Sequence, residues 1–158
     1  MRSIFLSITS LLISFQVFCQ IKPINDECSQ AIYAKFDTLY QQNGILPNLD
    51  SITTCGQIKN VYRGVWYEIN GNDSILIVNV SSSDASAWIL EGNCDSLSCV
   101  GFNNFDQPST RFIEKGKSYK ILIYSASANK ADYSVAFSAF PPVDASKCET
   151  APFLDCGG

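Results

Sequence analysis

The chain has 158 residues, 46% of them hydrophobic and 16% charged, with a formal net charge of −4. That length suits one domain of ordinary size, the apolar share is enough for a packed core, and the acidic balance repels phosphate backbones, so no nucleic-acid partner is expected. It contains no histidine, which removes Ser-His-Asp and Cys-His catalysis and the usual histidine-ligated zinc and iron centres, while an all-oxygen calcium site remains open.

At the N-terminus, Arg2 precedes an apolar run from Ile4 to Phe15, and Val17-Phe18-Cys19 follows. This reads as a secretory signal peptide over residues 1–19, with Gln20 as the first mature residue. The run is too short to cross a membrane, and no later stretch is long and apolar enough, so no membrane span is expected. A lipoprotein reading would make Cys19 an acylated anchor, but Phe18 is bulky where such sites take a small residue. The expected localisation is therefore secreted, in the extracellular space.

Residues 20–60 are mixed in character, and the turn signals Asn43-Gly44, Pro47-Asn48 and Cys55-Gly56 fit one short strand among loops. From Val61 the pattern sharpens. Val61 to Ile69 is a β-prone run ended by Asn70-Gly71-Asn72-Asp73, a strong turn. Ser74 to Val80 alternates, with Leu76, Val78 and Val80 on one face and Ile75, Ile77 and Asn79 on the other. Ala85 to Glu91, a short Val100-Gly101-Phe102, Thr110 to Ile113 and Tyr119 to Tyr124 follow as strands, each bounded by polar turns. Tyr133 to Ser138 closes the series, with Tyr133, Val135 and Phe137 facing a core. Short strands at regular spacing, without a convincing 3.6-residue period anywhere, predict an all-β sandwich or barrel over residues 25–140. Pro141-Pro142 then opens a linker, residues 141–158, in which Lys147-Cys148-Glu149-Thr150-Ala151 echoes Glu27-Cys28-Ser29-Gln30-Ala31. It reads either as the truncated start of a second copy or as a tail closed by its own disulfide.

Seven cysteines in an exported chain indicate disulfides. With Cys19 removed, Cys28, Cys55, Cys94, Cys99, Cys148 and Cys156 form an even set. Spacing favours Cys94 with Cys99 across a four-residue loop, then Cys28 with Cys55, leaving Cys148 with Cys156. No pair has the CxxC spacing of a zinc knot.

Several of these pieces together resemble the bacterial pre-peptidase C-terminal (PPC) domain family of secreted multidomain proteins. They are Asn25-Asp26-Glu27-Cys28 with Ala31 and Ile32, Thr54-Cys55-Gly56, Gly64-Val65-Trp66-Tyr67-Glu68-Ile69, Gly92-Asn93-Cys94 through Cys99-Val100, and Tyr133-Ser134-Val135 after the strand that follows Gly116. The resemblance spans about residues 25–140. It implies a jelly-roll-like antiparallel β-sandwich with disulfides and an accessory role beside a catalytic or adhesive neighbour. Some relatives bind collagen and calcium, and others are discussed as carbohydrate-binding modules. No catalytic domain is present, and no relative's ligands can be matched residue by residue.

The candidate residues each have a plainer reading. Trp66 suits a core. Trp88 alternates with Ile89, so it faces outward if Ile89 faces in, and an exposed tryptophan can stack on a sugar ring. Asp73, Asp84, Asp95 and Asp106 fall in loops, where they either form turns or, gathered at one end, hold calcium. Asn72-Asp73-Ser74 is a glycosylation acceptor in a eukaryotic setting, preferred over Asn79 because Asn79 lies in a strand. Nothing singles out the paired carboxylates of a small hydrolase. The expected function is a non-catalytic accessory or binding module for an extracellular polysaccharide or matrix protein. The alternative is a structural spacer or sorting domain of a longer secreted protein, with a neighbouring domain as its only partner.

Overall fold

A computed structural model describes residues 22–43, 47, 49–51, 61–82, 84–102, 108–125 and 132–142. Ten strands are defined: β1 (Ile32–Tyr33), β2 (Leu39–Gln42), β3 (Leu49–Ser51), β4 (Val61–Asn70), β5 (Ser74–Val80), β6 (Ala85–Glu91), β7 (Ser98–Phe102), β8 (Ser109–Ile113), β9 (Ser118–Ser125) and β10 (Tyr133–Phe140). The helical content of the described residues is a single 3-10 turn, Cys28–Gln30, and no helix among them is long and apolar enough to cross a membrane. One sheet runs β1-β4-β9-β6-β7, with β3 also on β4, and the other runs β2-β10-β5-β8. Every pairing is antiparallel except that of β1 with β4.

The pairing is nested. β6 pairs with β7, β5 with β8, β4 with β9 and β2 with β10. A long antiparallel ribbon is thus rolled up, and the β6–β9 and β5–β10 contacts close it into two layers. This is the jelly-roll form of the β-sandwich, and the all-β expectation holds.

Period-2 alternation puts the core between the layers. Leu76 and Val78 of β5, Tyr133, Val135 and Phe137 of β10 and Ile113 of β8 face Val65, Tyr67 and Ile69 of β4, Ala87 and Ile89 of β6, and Tyr119, Ile121 and Ile123 of β9. Tyr40 of β2 joins them, edge-on to Tyr67 at 5.1 Å between ring centroids, with Tyr67 and Phe137 5.2 Å apart. Burial pushes the Tyr67 phenol up to about 12, against a smaller opposing effect of its hydrogen bond with Asn25, and burial likewise pushes Tyr133 far above the ordinary tyrosine range. A folded-state pKa raised above the unfolded value contributes stability that is complete below that value and lost as pH rises. Stability should therefore hold to about pH 10 and fall as pH climbs toward 12. In a base titration, tyrosinate absorbance from these two residues should appear together with loss of the fold, and Tyr67→Phe should make the decline shallower. Early tyrosinate formation in a still-folded protein would refute this.

The N-terminal segment forms three short strands where the sequence suggests one. None of the three has a periodicity of its own, because each is defined by its partner. β3 pairs with the start of β4, from Val61 to Arg63. Asn25 then serves Trp66 from both sides: its carbonyl accepts the Trp66 N–H at 2.8 Å, and its side-chain amide donates to the Trp66 carbonyl at 2.9 Å. β1 pairs in parallel with Tyr67 and Glu68, and the Ala34 N–H reaches the Glu68 carbonyl at 2.8 Å. The outer edge of β4 is thereby filled by its own chain, which shields it from pairing with another molecule.

At one end of the sandwich the β4–β5 and β8–β9 turns interlock. Asp73 adopts a left-handed φ of 58°, and its carboxylate accepts the Lys115 N–H at 2.9 Å. The Gly71 N–H donates to the Lys117 carbonyl at 2.8 Å, and a Cβ on Gly71 would fall inside the Glu114 carbonyl. Gly71→Ala should therefore force two backbones apart and lower the unfolding free energy by about 1–3 kcal/mol. Urea denaturation checks this, and an unchanged midpoint would show that the turns do not pack this way.

Candidate binding face

Trp88 is not the exposed platform expected from the sequence. The alternation is as predicted, since Ile89 lies in the sandwich core and Trp88 on the opposite face of β6. That opposite face is itself covered. Trp88, only 4% exposed, forms a second apolar cluster with Trp66, Leu90, Leu122 and Tyr124. Its ring centroid lies 4.9 Å from that of Tyr124. Cys28 and Ala31 of the N-terminal strap, together with Leu97 and Cys99, pack against the cluster. Trp66 is buried as predicted, but in this second cluster rather than between the sheets.

The strap is fixed by a Cys28–Cys94 disulfide. This corrects the pairings of Cys28 with Cys55 and of Cys94 with Cys99 that spacing favours. Proximity in sequence misleads here because the 3-10 turn carries Cys28 across the first sheet to the β6–β7 loop. Cys99 is disulfide-bonded as well, so its partner is a cysteine outside the described residues. Cys55, Cys148 and Cys156 lie outside the described residues, as do residues 1–19, read from the sequence as a signal peptide, and nearly all of residues 141–158.

The loop aspartates do not converge. Asp73 in the β4–β5 turn and Asp95 in the β6–β7 loop lie toward one end of the sandwich, and Asp84 in the β5–β6 loop lies at the other. Asp106 falls outside the described residues. Among the described residues there is no group of three His, Cys, Asp or Glu side chains placed to hold a metal ion. Asn72 is exposed in its turn, and its side-chain oxygen accepts a hydrogen bond from the Ser74 hydroxyl.

The first sheet's outer face is buried beneath the strap, whereas the second sheet's outer face carries exposed aromatic side chains. Register brings Phe140 of β10, Ile75 of β5 and Phe112 of β8 into one row across three strands. Phe140 is 51% exposed and Phe112 43%. The next row is Ser138, Ile77 and Thr110, and the one beyond is Leu39, Ala136 and Asn79. None of the residues in these outward rows is Asp, Glu, Lys or Arg; the one charged residue of the four strands, Arg111 of β8, lies opposite Leu76 and is exposed at the sheet edge.

Charge gathers elsewhere. Lys120 and Glu68 pair at 2.6 Å on the first sheet, and the hydrogen bonds from Lys120 and Ser118 hold the Glu68 carboxyl below its usual range. Lys117 bridges Glu91 and Glu114 at 3.0 Å each. The outward rows of the second sheet are therefore hydroxyls and amides crossed by an apolar strip, with Arg111 exposed at the β8 edge.

Sequence reasoning missed Phe112 and Phe140. The signal was present: Ile113 inward makes Phe112 outward, and extending the Tyr133-Val135-Phe137 alternation to Phe140 puts that ring outward too. The fold and this face define an antiparallel jelly-roll sandwich with one covered and one open sheet. Comparison with protein-family models, with curated proteins and with solved structures returns no match.

Proposed function

We propose that this chain is a non-catalytic accessory module of an exported protein, related to the PPC domains, and that it binds an extracellular polysaccharide or matrix protein on the outer face of its second sheet. The observation that carries the reading is the carboxylate-free outer face with Phe112 and Phe140 half in water. Sheet faces turned to water ordinarily carry charges, and exposed apolar side chains in a contiguous row mark a contact surface. The oxidised Cys28–Cys94 pair suits an exported protein, because disulfides persist in oxidising compartments. Three of the PPC-like pieces of sequence lie at structurally important points, while Thr54-Cys55-Gly56 falls outside the described residues. Asn25 fills the β4 edge, Cys28 anchors the strap, and Val65-Trp66-Tyr67 supplies side chains to both apolar clusters.

The test uses recombinant residues 20–158 from an oxidising host, applied to insoluble polysaccharides and collagens with calcium and with chelator. Retention on one polymer is the expected result. A well-folded protein retained on none of them would favour a spacer or sorting domain with no ligand of its own.

A further inference from the structure

We infer that the ligand of the second sheet is a neutral, extended β-linked polysaccharide lying across the strands, along the Phe140–Ile75–Phe112 row. This rests on the proposed binding role and deepens it. Adjacent strands lie about 4.8 Å apart, so the two phenylalanines on either side of β5 stand about 10 Å from one another. That is close to the length of one disaccharide unit in an extended chain, so rings two sugars apart can rest their C–H faces on the two aromatic rings. An extended chain of this kind can reach both rings, whereas a coiled glycan would touch only one.

Charge selects the ligand class. The four strands carry no carboxylate and a single cation, Arg111 exposed on the β8 edge, so the sheet offers little counter-charge to an acidic glycan or a charged peptide, and a chain of net charge −4 repels anionic polymers. A neutral sugar loses nothing on this face. Ser138 and Thr110 flank Ile77 one row away, where hydroxyls can both donate to and accept from sugar hydroxyls.

Size points the same way. Phe112, Ile75 and Phe140, with Ile77 and the exposed Leu39 in the rows beside them, form a narrow strip, whereas a stable protein–protein contact buries roughly 800 Å² per partner. A narrow polymer needs only a strip, and gains strength by engaging several modules on one chain.

The experiment uses the full chain, residues 1–158, expressed in an oxidising host. Wild type, F112A/F140A and F112Y/F140Y are applied to cellulose and β-mannan as neutral probes, to polygalacturonate and chitosan as charged ones, and to collagen. Retention on a neutral β-linked probe is expected, unchanged by added salt or chelator. It should be at least about tenfold weaker in F112A/F140A and kept in F112Y/F140Y, with tryptophan emission and denaturation midpoint alike in all three. Retention only on collagen or a charged glycan would overturn the inference while leaving a binding module. Equal retention by F112A/F140A would move the ligand off this row. No retention on any probe would overturn both readings.

Discussion

Replacing Trp88 with alanine should lower the unfolding free energy by about 3–5 kcal/mol rather than abolish ligand binding. The indole is almost fully enclosed, at 4% exposure, by Trp66, Leu90, Leu122 and Tyr124. Its removal leaves a cavity beneath a strap whose Cys28 and Ala31 rest on this cluster while Ile32 and Ala34 are anchored in the main core, so the strap cannot easily collapse into the gap. The loss should appear in urea denaturation as a lower midpoint. It should be matched by Trp66→Ala, because the two indoles belong to one cluster. A change below about 1 kcal/mol together with lost polymer retention would return Trp88 to the surface and make the first sheet the binding face.

Breaking the Cys28–Cys94 bond is the second large perturbation. Its partners are 66 residues apart, and closing a loop of that size removes enough unfolded-chain entropy to contribute about 4 kcal/mol. The Cys28→Ser/Cys94→Ser double variant should lose that amount by chemical denaturation. With Cys28 bonded to Cys55 and Cys94 to Cys99, the same variant would break two bonds and lose about 6 kcal/mol, so the size of the loss distinguishes the two connectivities. Non-reducing peptide mapping gives an independent answer: the fragment carrying Cys28 should remain joined to the one carrying Cys94. A Cys94–Cys99 fragment would contradict the structure.

The layered fold was legible because β5 and β10 alternate between inward and outward positions, as a half-buried strand does in any sequence, and because β9 is a β-prone apolar run bounded by turns. The turn at Asn70-Gly71-Asn72-Asp73 was legible for a similar local reason, since its residues accept left-handed or tightly packed backbone. What could not be read was anything set by tertiary contact alone. β1 and β3 are two and three residues long, and they exist only because β4 has an edge to fill. Trp88 was placed on the correct side of its strand, but alternation says nothing about whether a distant segment covers that side. The same limit misdirected the cysteine pairing, for which distance along the chain was the only available guide. The binding face was half legible: register, not pattern, is what lines up Phe140, Ile75 and Phe112, and register emerges only once β8 and β10 are known to flank β5.

The covalent loop also decides how the domain would carry a mechanical load. β1 through β6 all lie between Cys28 and Cys94. Tension entering at residue 22 and leaving at residue 142 passes from one sulfur to the other and bypasses those six strands, so only the chain outside the loop can pay out. Roughly 220 Å of extended chain stays locked away from the force until the bond is reduced. A module holding its protein to a polymer in moving fluid would thus act as a short tether in oxidising surroundings and a long one in reducing surroundings.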